Sequence, residues 1–242
     1  EYDALHAETK ALMRELMEIP EDYEIMFIQG GGSLQFFMTA ANFNTKEHAA
    51  YVNTGVWSKK AMAEAKVYGK AYEAASSADK NHSYIPQDIK ILPNTSFVHL
   101  TSNNTIYGTE YQSFPKFDVP VICDMSSDIL SRKVDVSKFD LIYAGAQKNL
   151  APAGVVVVIA KKSFVETANE NLPTMLKYKT FLDNDSLYNT PPVFCIYMIN
   201  KTLKWIKAQG GVEAIAKNNQ AKAKLIYDVI DNSNGIYKGH AE

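Results

Sequence analysis

The sequence predicts an α/β fold, a three-layer sandwich built on a mainly parallel central sheet. Short runs that are apolar throughout, such as Val155 to Ala160, alternate with amphipathic segments, the pattern of strands buried beneath helices on both faces. Several of these runs are closed by turn residues. No repeat, low-complexity tract or linker rich in proline, glycine or serine interrupts them, so residues 1–242 read as one unit.

Leu5, Leu12, Leu16 and Ile19, with Met13 and Met17 beside them, recur at helical spacing until Pro20. Residues 24–29 form a short apolar strand, Gly30-Gly31-Gly32-Ser33 a turn, and 34–41 a helix. A second strand spans 49–52, and Trp57 opens a helix that runs to about Lys70. Further strands are expected at 70–75, 96–101, 119–123, 141–144 and 155–160. Two helices, 193–205 and 212–230, are split by Gly210-Gly211. The chain lacks an initiator methionine, opens inside a helix and stops where a strand would begin. It is therefore expected to be an excised piece of a longer protein.

Composition narrows the function classes. With 46% apolar, 21% charged and 11% aromatic residues, the chain has ample core material. A formal net charge of −2 offers no electrostatic case for nucleic acid or an anionic membrane. The longest apolar stretch is too short to span a bilayer, and the acidic opening is not a signal peptide. Cys123 and Cys195 both lie in apolar surroundings and read as buried thiols of a cytoplasmic protein. No metal is called for.

Ligands of open α/β sheets bind beyond the carboxyl ends of the strands, and four suggestive motifs fall there. Gly30-Gly31-Gly32-Ser33 would let backbone N–H groups approach a phosphate at a helix N-terminus, although a plain tight turn also uses glycines. It is neither a P-loop nor a dinucleotide fingerprint. Asn53-Thr54-Gly55-Val56-Trp57 could lay an indole on an aromatic ligand, or anchor a helix in the core. Thr101 to Gly108 is a polar strand exit that could orient a ligand or form an Asx-rich turn.

The fourth motif is a pair. Asp124 closes one apolar strand, and Lys148, in Tyr143-Ala144-Gly145-Ala146-Gln147-Lys148-Asn149, follows another. An ammonium hemmed by small residues is costly to bury unless paired or chemically used, which makes Lys148 a candidate for Schiff-base chemistry. A carboxylate and a lysine so placed are how pyridoxal phosphate is held. Asn189-Thr190-Pro191-Pro192 opens a helix and presents hydrogen-bonding groups at its positive end.

Taken together, the segments 30–36, 54–58, 103–108, 124–127, 143–149 and 189–192 resemble, in order and rough spacing, those of phosphoserine aminotransferases. The resemblance covers nearly the whole chain. It implies that residues 1–242 are an aspartate-aminotransferase-like large domain that binds pyridoxal 5'-phosphate and works as a homodimer, with 212–242 leading toward the family's small C-terminal domain. Carried over, Lys148 would form the Schiff base, Asp124 would pair with the pyridine nitrogen and Trp57 would stack on the ring. Thr105 would hydrogen-bond near the phenolic oxygen. Gly32, Ser33 and Gln147 would hold the phosphate, and Asn189 and Thr190 would reach the phosphate bound to a partner subunit. The implied reaction is reversible amino transfer between phosphoserine and 2-oxoglutarate, giving phosphohydroxypyruvate and glutamate; serine biosynthesis uses the opposite direction.

The family's substrate-binding His and Arg residues have no counterpart here. The only arginines, Arg14 and Arg132, stand at no matching position. The chain is thus expected to bind the cofactor but to transaminate poorly or not at all. Two alternatives stay open: another enzyme of the same fold, such as a different transaminase or a cysteine desulfurase, or a non-catalytic dimerisation module. A desulfurase would call for a mobile cysteine and usually a His where Gln147 stands.

Overall fold

A computed structural model describes residues 1–242. Helix α1 (Tyr2–Met17) leads to strand β1 (Tyr23–Gly30), helix α2 (Gly32–Phe43), strand β2 (His48–Asn53), helix α3 (Val56–Tyr68) and strand β3 (Ala71–Ser76). Strand β4 (Thr95–Thr101) follows, then a small ribbon of β5 (Asn103–Asn104) and β6 (Thr109–Glu110). Strands β7 (Val121–Asp124), β8 (Leu141–Gly145) and β9 (Gly154–Lys161) complete the strands. Helices α4 (Lys162–Val165), α5 (Tyr178–Asp183), α6 (Val193–Ala208) and α7 (Gly211–Asp231) end the chain.

Seven strands form one sheet in the order β1-β9-β8-β7-β4-β2-β3. The pairs β2/β3, β2/β4, β4/β7 and β7/β8 are parallel, while β9 runs antiparallel to both β8 and β1. The sheet is therefore mainly parallel with one reversed strand. Every strand except β9 ends at the same edge, and β9 begins there.

Alternation along the strands divides the core in two. Ile25, Phe27, Val98, Leu100, Ile142, Val157 and Ile159 face Leu12 and Met13 of α1 and Ile196, Ile199 and Leu203 of α6. Met26, Ile28, Phe97, Ile122, Leu141, Val156 and Val158 face α2, α3, α4 and α5. This is the expected three-layer sandwich. The central strands tolerate such uniform apolarity because both faces are covered.

Both arginines are committed to structure. Glu18 leaves α1 in the left-handed region, at φ 52°. Beyond it the Arg14 guanidinium donates to the carbonyls of Pro20 (2.6 Å), Ile19 (3.2 Å) and Tyr23 (3.0 Å), which ties the helix exit to the start of β1. Arg132 forks onto Asp128 (3.1 and 2.9 Å), donates to the Tyr111 carbonyl (2.7 Å) and pairs with Glu110 (3.3 Å). It thereby locks the β5–β6 ribbon against the segment after β7.

Two sequence expectations need correction. Cys123 is fully buried, but Cys195 is only half-buried, because it lies on the first turn of α6, where Val193 and Phe194 are also exposed. Its Sγ rests 3.5 Å from the Ala153 carbonyl oxygen. The strand expected at 119–123 starts later, at Val121, where Pro120 ends and the Val121 N–H is taken by Asp140 Oδ2 at 2.8 Å. No helix is long and apolar enough to cross a membrane.

Ile159 sits at the centre of β9, fully buried and packed between strands running the other way. Ile159→Ala should lower unfolding free energy by about 2–5 kcal/mol. In a urea titration the midpoint is expected to fall while the slope is unchanged; an unmoved midpoint would show that β9 does not anchor the sheet.

Candidate active site

The carboxyl edge of the sheet opens into a cleft of about 390 Å³, lined among others by Gly32, Ser33, Trp57, Asp124, Gln147 and Lys148. Each lining residue arrives by a strand exit. Gly30 turns the chain from β1 into α2 with φ +108°, a conformation that favours glycine. Gly31 caps α2, so the N–H groups of Gly32 and Ser33 lie in its first turn, where no intrahelical partner exists. A side chain at Gly32 would stand 3.3 Å from Ser126 Oγ, so the backbone there lies close under the cleft wall.

Beyond β2 the backbone N–H groups of Thr54 and Gly55 both donate to Ser58 Oγ, at 3.0 and 3.1 Å. This tight turn swings Trp57 over the cleft. A Cβ at Gly55 would meet the Tyr107 ring at 2.9 Å. Thr54 Oγ1 donates to Asn104 Oδ1 at 3.0 Å, joining this turn to the ribbon after β4. The Trp57 indole is half-buried, its Nε1 has no partner, and Lys148 Nζ lies 5.7 Å from the ring centre.

Asp124 ends β7 and is 7% exposed. One carboxylate oxygen accepts from the Ser126 N–H at 2.9 Å. Burial pushes its carboxyl above the usual carboxylate range, against which the Ser126 hydrogen bonds and the Lys148 ammonium work. Lys148 and Gln147 stand in the turn between β8 and β9, and both are exposed. The premise of a buried lysine therefore fails: the ammonium is solvated within the open cleft, and Asp124 is the buried member of the pair. Gln147 folds back so closely that a Cβ at Gly145 would meet its Oε1 at 2.7 Å.

Of the residues singled out in the sequence, Gly32, Ser33, Trp57, Asp124, Gln147 and Lys148 meet in this cleft. Thr105 is exposed in the turn of the β5–β6 ribbon and does not line it. Asn189 and Thr190 are exposed as well. They are tied to β1 by Asn189 Nδ2 donating to Gln29 Oε1 (3.1 Å) and Gln29 Nε2 donating to the Thr190 carbonyl (2.6 Å). Sequence reading placed Thr101 and Ser126 in its motifs but gave neither a role of its own. Thr101 is 3% exposed, lines the cleft and is paired in register with Asp124, and its Oγ1 has no partner. Its signal was a hydroxyl closing an apolar strand, the same one that marked the 101–108 exit.

Residues 1–241 match the family model described as aminotransferase class-V. The chain belongs to the class-V aminotransferases. It is 56% identical over 243 residues to the phosphoserine aminotransferase of Bacillus subtilis (strain 168), covering 100% of this chain and 68% of that protein. A solved phosphoserine aminotransferase studied for radiation damage of its Schiff base superposes with a TM-score of 0.97 at 54% identity, over 100% of this chain and 68% of that one. The phosphoserine aminotransferase of Trichomonas vaginalis, solved with PLP bound, gives a TM-score of 0.92 at 34% identity, over 99% and 68%. Within the class-V aminotransferases the chain thus falls among the phosphoserine aminotransferases, and its aspartate-aminotransferase-like fold is shared with them.

The donor set suits a flat, phosphorylated aromatic ligand with a basic ring atom. A helix N-terminus provides unpartnered N–H groups for an anion, Asp124 provides a carboxylate, and Trp57 Nε1 and Thr101 Oγ1 are orphaned polar atoms.

Without a ligand, Asp124 is a liability whose sign is definite. Its folded-state pKa is raised, so the native state holds the proton longer than the unfolded chain. Its contribution to stability therefore falls as pH rises from about 3.9 through the folded value, and the penalty is complete above that. Asp124→Asn, which keeps an acceptor for the Ser126 N–H, should stabilise the cofactor-free protein near neutrality and not at pH 4. Urea unfolding at both pH values checks this; an equal effect at both would exclude a buried charge as the cause.

Proposed function

We propose that residues 1–242 form the cofactor-binding large domain of a phosphoserine aminotransferase, with pyridoxal 5'-phosphate as cofactor. The observation that supports it best is the meeting of Lys148, Asp124, Trp57 and the α2 N-terminus in one cleft. The cofactor supplies an aldehyde that condenses with amines and a ring that accepts electrons.

The chain's own residues have distinct tasks in this reading. The N–H groups of Gly32 and Ser33 bind the phosphate with help from the α2 dipole, and the Gln147 amide adds a donor. The Ser33 side chain, being exposed, contributes less than its backbone. Trp57 covers one face of the ring and helps exclude water. Thr105, on a ribbon held by Asn104 and Arg132, is assigned to the phenolic oxygen by the family resemblance alone, since it stands outside the cleft lining. Asp124 keeps the ring nitrogen protonated by placing a negative charge against it. Lys148 Nζ would be the attachment point for the cofactor's aldehyde, and as a free amine it would take the α-proton of the amino-acid substrate and return it across the site.

The reaction in this reading is reversible amino transfer between phosphoserine and 2-oxoglutarate, yielding phosphohydroxypyruvate and glutamate, and used in reverse for serine biosynthesis in the cytoplasm. Such substrates carry several negative charges, which are best met by guanidinium forks. Both arginines are engaged elsewhere, and Lys148 is the only cationic residue lining the cleft. The chain by itself is thus better equipped to hold the cofactor than to turn over substrate.

Asn189 and Thr190 complete the proposal as donors to the phosphate in a partner subunit of a homodimer. They lie on the surface beside exposed Tyr188, Val193, Phe194 and Tyr197, an apolar patch that a two-fold interface would cover.

Titration with pyridoxal phosphate should produce a visible absorbance band, and borohydride reduction should fix about one label per chain on Lys148 by peptide mass mapping. Lys148→Ala should give neither band nor label; label scattered over surface lysines would defeat the reading. A second measurement addresses the shared site. Sedimentation velocity is expected to show a dimer in the presence of cofactor, and Asn189→Ala should weaken cofactor binding roughly tenfold, the worth of a hydrogen bond to a charged group. A monomer that binds the cofactor tightly would contradict the shared site.

A further inference from the structure

Beneath Asp124 the sheet buries two polar side chains that the reaction above leaves unused. Register pairs Thr101 with Asp124 and Asp124 with Tyr143. These residues project from one face of β4, β7 and β8, and His99, two residues before Thr101, shares that face. His99 and Tyr143 are both fully buried. His99 stacks on Tyr51 with ring centres 5.0 Å apart, and Phe36 meets Tyr143 edge-on. His99 Nε2 lies 2.8 Å from the Tyr143 hydroxyl, and His99 Nδ1 has no partner.

An imidazole and a phenol in the middle of an apolar layer are costly unless their hydrogen bonds are used. Counting protons shows how they are used. Burial pulls the His99 pKa down to about 3, so the ring is neutral and carries a single N–H. If that proton were on Nδ1, a buried N–H would be orphaned. Tyr143 would then have to give its only proton to Nε2 and would have none for its other neighbour. With the proton on Nε2, His99 donates to the Tyr143 oxygen, and the Tyr143 O–H is free to donate onward. The one unmatched site is then a bare lone pair, a more tolerable vacancy than an orphaned N–H. Tyr143 stands beside Asp124 in register on the neighbouring strand and its hydroxyl favours the ionised carboxylate, which makes Asp124 the onward acceptor. Asp124 also accepts from the Ser126 N–H of its own loop, feels the Lys148 ammonium of the β8–β9 turn and has Thr101 as its register neighbour on β4.

We propose that His99 and Tyr143 form a one-way hydrogen-bond relay, from His99 Nε2–H to the Tyr143 hydroxyl to the Asp124 carboxylate, that keeps Asp124 ionised and aimed into the cleft. Both are positioning residues that act through Asp124. The purpose given to the relay rests on the reading of Asp124 as partner of a cationic ring nitrogen.

The relay is testable in the cofactor-free protein by NMR with labelled histidine and aspartate. His99 is expected as the Nε2–H tautomer. Tyr143→Phe, which removes only the hydroxyl, should move the Asp124 carboxyl titration upward by about one pH unit. His99→Leu should shift it in the same direction in the native background and not in the Tyr143→Phe background, because a relay is lost only once. An Nδ1–H tautomer, an unmoved Asp124 titration in Tyr143→Phe, or additive effects of the two variants would overturn the proposal. With 15N-labelled pyridoxal phosphate bound, the ring nitrogen should be protonated in the native protein and less so in Tyr143→Phe, with about tenfold weaker binding. If the native protein took up no cofactor while the relay signals appeared, the cofactor reading would fail and the relay would stand.

Discussion

Parallel strands can be joined only by chain that crosses back over the sheet, so each of them delivers its exit to the same edge. The cleft depends on that constraint. Gly30, Asn53, Thr101, Asp124 and Gly145 are the last residues of five strands, and Gly154 is the first of the reversed one. The strand order sets β7 between β4 and β8, so Asp124 stands at the middle of the edge, flanked by the polar exit of β4 and the turn that carries Lys148. Two apolar clusters, one on each face, hold this arrangement rigid. The site's residues stand at strand ends, in the first turns of α2 and α3 and in the β8–β9 turn, and their positions are fixed by a sheet that has little freedom to move.

Within that edge the chain treats two buried acids in opposite ways. Asp128, 1% exposed, is satisfied internally by the fork of Arg132 and serves to fasten the β5–β6 ribbon. Asp124, four residues earlier, receives one backbone N–H, the more distant field of an exposed lysine and the influence of a buried phenol. Its charge is supported from behind and left unneutralised in front. An internally paired acid stabilises the fold; an acid left open toward a cleft is a place for a cation to be recognised.

Much of this was legible in the sequence. Strands of four to eight apolar residues separated by helical periods gave the sandwich, and the ends of those strands gave the cleft. Asp124, Lys148 and Trp57 are legible because Asp124 closes an apolar run and the other two stand in the short turns that follow one. Short elements escaped: β5 and β6 have two residues each, and α4 has four, too few to show a period. The burial of Lys148 was misjudged because small neighbours in sequence, Ala144 to Ala146, pack into the core while the turn itself faces the open cleft. Thr105 and the pair Asn189 and Thr190 carry no local sign of which way they face. His99, and the part played by Tyr143 at the head of the 143–149 motif, escape for a related reason, since polar residues inside apolar runs acquire meaning only when strands distant in sequence are set side by side.

The pairing of the first strand with the last has a consequence for how the chain is made. β1 has no neighbour in the sheet other than β9, whose residues follow it by more than a hundred positions. During synthesis at about 5–20 residues per second, roughly ten seconds separate the emergence of the two strands. Throughout that interval the apolar Ile25 to Ile28 run lacks its only partner in the sheet, and the glycine turn beside it lacks the wall that β9 and the turn before it provide. The glycine-turn side of the cleft is thus written first and can be completed only once β9 has emerged.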